Sequence, residues 1–252
     1  MVALLCATSF SVNATLIAQD LTLSSSVGLL NYQNDYADAF SSPEDGAQIY
    51  QIGVDTIPNS LIDKSTTTSD SLGLVKSTNL TSFFGITDTV NSNNASGEVE
   101  AIWAFDISGF TELMFSIDIA AMGDFEINDI FNIDFQIDNG DWVSIFTGIA
   151  DESGVQSYRL ENGSDLVYND PMTVDGTVLN NNFTQFSQSL AGDGDVLGVR
   201  LSATTNGGTE AMAFQNMLIN GAAQQSLAVV VSEPMHLFVL SLFLLLTGRK
   251  WL

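Results

Sequence analysis

Carboxylates are the side chains in this sequence with the widest scope for chemistry. Asp124 and Glu126 follow a largely apolar stretch that ends at Gly123, and Glu210 follows a glycine turn at 207–208. Ca²⁺ prefers oxygen ligands, of which it takes about six to eight. The pattern therefore predicts a calcium site with Asp124, Glu126 and Glu210 as its ligands. Chance placement on a solvated rim is the alternative, because the chain contains 30 acidic residues.

Carbohydrate cleavage is a second use for the same carboxylates. Glycoside hydrolysis needs two carboxyl groups that face each other across a sugar, about 5 Å or about 6.5–9.5 Å apart. Spacing in the sequence does not determine that distance. The sequence therefore leaves open whether these carboxylates act in catalysis or hold a cation.

One aromatic residue is placed to contact a sugar. Trp142 follows the turn at 139–140, and an indole ring at such a position can stack on a sugar ring. We therefore predict Trp142 as a glycan-binding residue, with a place in the core as the alternative. Trp103 stands inside an apolar strand pattern and is predicted to belong to the core.

The chain has one cysteine, Cys6, and one histidine, His236, and both lie in the terminal segments described below. The region between these segments therefore has neither residue type. This excludes disulfides, thiol nucleophiles, zinc sites built from Cys and His, and acid–base catalysis by histidine in the central domain.

The charge balance limits the partners of the protein. Thirty acidic residues against six basic ones give a formal net charge of −24. Nucleic-acid binding depends on Lys and Arg side chains that neutralise phosphates. We therefore expect no binding to nucleic acid and a surface that stays soluble through its own charge.

The elements that position these side chains are predicted to be β-strands. Phe131, Ile133 and Phe135 alternate with polar residues, and the turn at 139–140 leads into a second strand at 142–146. The same period of two recurs at 113–119 and 199–204. Positions 211–219 are apolar on both faces, which is typical of a central strand covered on both sides.

Many short strands with Gly, Asn and Asp turns and without amphipathic helices favour an all-β fold. We predict a β-sandwich, most consistent with a jelly roll, over residues 15–221, followed by a linker at 222–231. A C-terminal transmembrane helix is predicted after it. One domain is sufficient for a chain of 252 residues.

The N-terminal residues 1–14 are predicted to be a secretory signal. An apolar stretch from Val2 to Val12 is followed by Asn13 and Ala14, with small residues where a signal peptidase cuts. A complete signal begins with Lys or Arg, and the first basic residue here is Lys64. We therefore expect the natural start of the protein to lie upstream of Met1.

The C-terminal residues 232–252 are predicted to be a membrane-spanning tail. Met235–Thr247 carries no charged side chain and is followed by Arg249, Lys250 and Trp251. A helix of this length spans roughly 20 Å at about 1.5 Å per residue, so the flanking residues must extend it to cross a hydrocarbon core. Basic residues after the apolar run place the C-terminus in the cytoplasm and the central domain outside.

The tail resembles the PEP-CTERM sorting signal of exported Gram-negative proteins. The resemblance rests on Ser232, Glu233 and Pro234, the apolar run, and the basic residues Arg249 and Lys250. Ser232 stands where the family has its first proline. The resemblance implies recognition by exosortase, a membrane-bound processing enzyme, and a link to exopolysaccharide.

The central domain resembles a jelly-roll-like module of secreted bacterial proteins, over about residues 41–219. The segments that carry this resemblance are AIWAFDISG, LMFSIDIAAMGDFE and GGTEAMAFQNMLI. Such modules have no single activity, so the fold alone does not supply the function. We predict an exported, surface-anchored or matrix-associated binding or structural protein, with extracellular polysaccharide as a candidate partner. A carboxylate-based carbohydrate-active enzyme is the alternative.

Overall fold

Alternating apolar and polar residues build two antiparallel β-sheets that pack face to face. The structure is a computed structural model that describes residues 14–36, 45–63 and 72–224. Except for Ala14, the predicted N-terminal signal lies outside the described residues, as does the predicted sorting tail. Within the described ranges, the secondary structure consists of strands and one short 3-10 helix, and no helix is long and apolar enough to cross a membrane.

The first sheet has six strands, and its members come from the whole length of the domain. They are β1 (Thr15–Asp20), β3 (Gly46–Tyr50), β6 (Phe83–Thr87), β8 (Phe110–Gly123), β15 (Thr184–Ser189) and β17 (Glu210–Ala223). The order is β15-β8-β17-β6-β3, and β1 pairs with the second half of β17. The predicted central strand is confirmed, because β17 has neighbours on both sides and is buried along most of its length.

The second sheet has seven strands. They are β2 (Leu29–Asn34), β7 (Val99–Asp106), β9 (Ile130–Ile137), β10 (Val143–Ala150), β13 (Met172–Val174), β14 (Thr177–Val178) and β16 (Val196–Thr204). The order is β14-β13-β10-β9-β16-β7-β2. The chain crosses between the two sheets repeatedly, for example from β8 to β9 and from β16 to β17.

The predicted hairpin is present as β9 and β10. Phe131 and Ile133 are buried, whereas Asn132 alternates with them on the outer face. The connecting turn has left-handed backbone at Asp138 and Asn139, with φ of 50° and 60°, and the amide of Gly140 donates to the carbonyl of Ile137. Trp142 belongs to this turn rather than to the strand, which begins one residue later.

The core between the two sheets is built from large aromatic and aliphatic side chains. Trp103 is fully buried there, as predicted, and its indole nitrogen donates to Asp20 Oδ2 at 2.8 Å. The rings of Phe131 and Phe214 come from opposite sheets and meet edge to face at 5.0 Å. These contacts hold the sheets together, and the all-β sandwich of antiparallel sheets that the sequence predicts is confirmed.

A further layer covers the outer face of the six-stranded sheet. It consists of the 3-10 helix η1 (Asn59–Leu61), the parallel pair β4 (Ile62–Asp63) and β5 (Val75–Lys76), and the hairpin of β11 (Val155–Arg159) and β12 (Asp165–Asn169). These elements enclose a second apolar cluster that includes Tyr50, Leu61, Phe83, Met122 and Tyr158. Among the described residues, no comparable cluster covers the outer face of the seven-stranded sheet.

Candidate functional site

Three carboxylates meet at one end of the sandwich. Oxygen atoms of Glu126, Asp129 and Glu210 all lie within 4.8 Å of one another, and we call this group the carboxylate cluster. Glu126 and Asp129 belong to the loop between β8 and β9, whereas Glu210 is the first residue of β17. The cluster therefore joins two of the connections that cross between the sheets, namely β8 to β9 and β16 to β17.

Backbone amides and one hydroxyl hold these carboxylates in place. Glu210 Oε2 accepts from the Thr205 hydroxyl at 2.6 Å and from the Gly207 amide at 2.9 Å. Asp129 accepts from the amides of Glu126 and Asn206, at 2.6 and 3.2 Å. Gly207 has no Cβ, and a Cβ there would overlap with Glu210 Oε1. The glycine turn therefore makes room for the carboxylate.

Burial makes two of these carboxylates, Asp129 and Glu210, costly to ionise. Asp129 is 0% and Glu210 is 2% exposed. Burial raises the pKa of Glu210, and the charges of Asp129 and Glu126 raise it further. Burial and the neighbouring Glu126 likewise raise the pKa of Asp129. A divalent cation at this point would compensate the charge of the ionised carboxylates.

The carboxylate cluster differs by one residue from the predicted calcium ligands. Glu126 and Glu210 are brought together as predicted, but Asp124 is exposed and lies outside the group. Asp124 instead lies near Tyr168, where burial first and then the charge of Asp124 raise the pKa of the phenol. Asp129 is the third member of the cluster instead of Asp124. It directly precedes β9, and its buried carboxylate accepts a hydrogen bond from the Glu126 amide within the loop. The sequence did carry one signal for Asp129: it is an acidic residue directly before a strand in which apolar and polar residues alternate.

The burial of the carboxylate cluster bears on the predicted glycosidase alternative. That mechanism requires a sugar between two carboxyl groups. Asp129 and Glu210 are almost fully buried and accept hydrogen bonds from the surrounding loops. A sugar ring has no access between them in this structure. The arrangement around one point favours a cation over catalysis.

Trp142 lies on the outer face of the seven-stranded sheet and not in the core. Its half-buried indole ring packs over Arg200, whose guanidinium carbon is 4.5 Å from the ring centroid. Arg200 is held by Asp134 Oδ2 at 2.7 Å and by Glu100 at 3.7 Å. Gly198, which precedes Arg200 by two residues on the same face, leaves space for the ring edge. Cross-strand contacts therefore fix the position of Trp142.

Mostly polar side chains continue across this face in a row perpendicular to the strands. One row contains Gln33, Ile102, Arg200, Asp134 and Ser144, each directly opposite the next on β2, β7, β16, β9 and β10. Five strands at a spacing of about 4.8 Å extend over roughly 19 Å. Together with Trp142 and Glu100 this row forms what we call the Trp142 surface.

Two grooves lie on the same face. The larger, of about 300 Å³, is lined by side chains that include Gln33, Tyr36 and Ile102, together with the carboxylates of Asp35, Glu98 and Glu100. The smaller, of about 170 Å³, shares Glu98 and extends over Asn132 and Ser202. The face thus combines an aromatic ring, amides, hydroxyls and carboxylates in shallow depressions.

The remaining predicted site residues are in the tail. Ser232, Glu233, Pro234, Arg249 and Lys250 lie outside the described residues. Their role in sorting stays a prediction from the sequence.

No protein-family model and no curated protein matches this sequence. The chain is similar in structure to the CBM22-1 xylan-binding domain of Xyn10C from Paenibacillus barcinonensis, with a TM-score of 0.31 and 6% identity over 87% of this chain and 100% of that one. It is similar to TmCBM61 in complex with β-1,4-galactotriose, with a TM-score of 0.33 and 4% identity over 75% and 86% of the two chains. It is also similar to the K2 adhesin domain of Lys-gingipain, with a TM-score of 0.36 and 10% identity over 80% and 96%. Scores and identities this low assign no function to the chain.

Proposed function

We propose that this chain is an exported, non-enzymatic protein that binds a neutral polysaccharide on the Trp142 surface. The observation that carries the proposal is the difference between the two sheet faces. The outer face of the six-stranded sheet is covered by an apolar layer, whereas the other outer face presents Trp142 and a row of side chains across five strands, four of them polar. A jelly-roll sandwich with one open polar face fits an extended ligand.

The chemistry of the Trp142 surface matches a sugar chain. A sugar has an apolar C–H face that packs on an aromatic ring, and hydroxyls that both donate and accept hydrogen bonds. Trp142 supplies the ring, and Gln33, Asn132 and Ser202 supply polar groups of both kinds. Because Arg200 holds the indole in place before binding, little side-chain entropy is lost when a sugar stacks on it.

The charges on this face favour a neutral glycan. Asp35, Glu98 and Glu100 line the larger groove, and no basic residue belongs to the part of its lining that the structure describes. The positive charge of Arg200 is already matched by Asp134. An acidic polysaccharide would meet like charges here and would be repelled. We therefore expect neutral chains, such as those built from hexoses or pentoses, as ligands.

We assign a structural Ca²⁺ to the carboxylate cluster of Glu126, Asp129 and Glu210. Three carboxylates supply part of the oxygen set that Ca²⁺ requires, and backbone carbonyls or water complete such sites. The cluster spans the β8–β9 and β16–β17 connections, both of which lead into or out of strands that carry the Trp142 surface. A bound ion would thereby fix the ends of β9 and β16.

Export and membrane attachment complete the proposal. The support is the sequence of the tail, with its apolar run at 235–247 and basic residues after it. Its resemblance to the PEP-CTERM signal supports processing by an exosortase-like enzyme. The central domain would then reach the extracellular polysaccharide outside the cytoplasmic membrane.

A glycan array combined with a hydrolysis screen tests the proposed function. The purified full-length chain is probed against neutral and acidic polysaccharides, and each bound polysaccharide is then incubated with the protein and analysed for released sugars. We expect binding to neutral chains without release of products. Release of oligosaccharides would show an enzyme, and binding to none of the neutral chains would refute the assigned ligand class.

A further inference from the structure

A separate cavity lies beside the apolar layer, away from the Trp142 surface. Its volume is about 340 Å³. We call it the amide pocket after the side chains that line it, which include Leu74, Lys76, Asn79, Asn181, Phe183 and Gln215. Among the described residues, its lining contains four carboxamides and one ammonium group but no carboxylate. This composition is unusual for a protein with a net charge of −24.

Asn181 gives the amide pocket a buried acceptor that lacks a donor. The side chain is 3% exposed, and its amide nitrogen donates to the carbonyls of Gly73 and Arg159, at 3.1 and 2.8 Å. These two bonds fix the orientation of the amide. Asn181 Oδ1 is left without a hydrogen-bond partner among the described residues. Buried acceptors of this kind are rare because they lose their bond to water. Asn181 lines the pocket, so a ligand hydroxyl that reaches this atom would supply the missing donor.

Gln215 gives the amide pocket a donor. It lies at a β-bulge in β17, where Asn216 has a left-handed backbone with φ of 51°. Bulges redirect side chains relative to the regular pleat. Gln215 Oε1 accepts from Asn79 at 3.0 Å, which leaves the amide nitrogen of Gln215 without a partner among the described residues. The bulge thus places a free amide donor at the cavity.

Lys76 gives the amide pocket a positive charge that no carboxylate of the described residues pairs with. Among the basic residues in the described ranges, Arg159 and Arg200 form ion pairs and Lys76 does not. Lys76 Nζ instead donates to the neutral Asn182 Oδ1 at 3.2 Å. In so acidic a chain, a cation that remains unpaired beside a cavity is available for an anion on a ligand.

We propose that the amide pocket binds a sugar residue that carries a carboxylate, that is, a uronic acid unit. The carboxylate is recognised by the Lys76 ammonium and the Gln215 amide, and a ring hydroxyl donates to Asn181 Oδ1. The half-buried ring of Phe183 offers an apolar surface to the sugar ring. This site goes beyond the proposed function, because it is separate from the Trp142 surface and has the opposite charge preference. One chain could then bind a neutral and an acidic polysaccharide at once.

A pair of ligands that differ at one carbon tests this proposal. The full-length chain is titrated with methyl β-D-glucuronide and with methyl β-D-glucoside, and binding is measured by NMR line broadening and calorimetry at low salt. We expect the glucuronide to bind about tenfold more tightly than the glucoside, because a charge-assisted hydrogen bond is stronger than a neutral one. Equal affinity for the two ligands, or binding of neither, would overturn the proposal.

Two variants locate the site. Lys76 is exposed, so K76M is expected to fold normally and to lose the preference for the glucuronide, whereas K76R is expected to retain it. W142A is the matched control, and its glucuronide binding is expected to equal that of wild type. Loss of glucuronide binding in W142A with retention in K76M would place the ligand on the Trp142 surface and refute the amide pocket. Binding of neutral polysaccharide by K76M reports separately on the proposed function.

Discussion

Replacement of Glu210 by glutamine tests the carboxylate cluster with the least change in shape. Glu210 Oε2 accepts hydrogen bonds from Thr205 and Gly207, and a glutamine carbonyl oxygen can accept both. The variant E210Q therefore removes the charge and one oxygen ligand while it keeps the loop contacts. Its stability relative to wild type should depend on both pH and Ca²⁺.

The expected size of the effect follows from the environment of Glu210. Its pKa is raised from 4.5 to about 8, first by burial and then by the neighbouring carboxylates. Since one pKa unit corresponds to about 1.4 kcal/mol, ionised Glu210 destabilises the ion-free fold by up to on the order of 5 kcal/mol. The pKa is higher in the folded than in the unfolded state. The contribution of protonated Glu210 to the free energy of unfolding is therefore fully present below about pH 4.5, and it is lost as the pH rises through about 8.

Thermal unfolding in EDTA and in Ca²⁺ measures this effect. In EDTA we expect the melting temperature of E210Q to exceed that of wild type at pH 8.5 by about 10 °C, and the difference to disappear near pH 4.5. Excess Ca²⁺ at pH 8 should raise the melting temperature of wild type and leave E210Q unchanged, because ion binding stabilises the folded state only where the ligands are present. Equal pH dependence of the two proteins in EDTA would refute the reasoning about burial. A calcium response retained in E210Q would refute the assignment of the ion.

Three further predictions concern other residues. D129N should abolish the rise in melting temperature with Ca²⁺, whereas D124N should retain it; the reverse result in a calcium titration would restore the ligand set predicted from the sequence. R200M should weaken glycan binding about tenfold in calorimetry, because Trp142 loses its support; unchanged affinity would show that this support is unnecessary. Deletion of residues 235–252 should release the protein from the membrane fraction, and retention would locate the anchor elsewhere.

The sequence predicted the strands well because a period of two is a local signal. Phe131, Ile133 and Phe135 are recognised as buried because they alternate with polar residues. The turn at 139–140 is recognised from its Asn-Gly pair. The apolar layer over the six-stranded sheet was not predicted. It is built from elements of two to five residues, such as β4 and β5, which are too short for any period to emerge.

The sites were predicted only in part because their contacts are not local. Glu126 and Glu210 were identified by their positions at turns, but Asp129 joins them through a loop conformation that sequence spacing does not specify. Trp142 was identified as an aromatic residue near a turn. Its support by Arg200 depends on the pairing of β16 with β9, which places Arg200 opposite Asp134 across 66 positions of sequence.

The amide pocket was not predicted from the sequence at all, because its contacts are not local either. Lys76, Asn181 and Gln215 come from three distant segments that meet around one cavity. Nothing in the spacing of these residues connects them. Only the three-dimensional arrangement shows that, within the described ranges, Asn181 Oδ1 lacks a donor and Lys76 lacks an ion pair.

Affinity electrophoresis in gels that contain a neutral polysaccharide tests the central claim, binding on the Trp142 surface, most directly. Wild type and K76M are compared with W142A in gels with and without the polysaccharide that binds best on the array. We predict that the polysaccharide retards wild type and K76M equally and that W142A migrates as it does in the polysaccharide-free gel. Equal retardation of W142A and wild type would contradict the assignment of this surface.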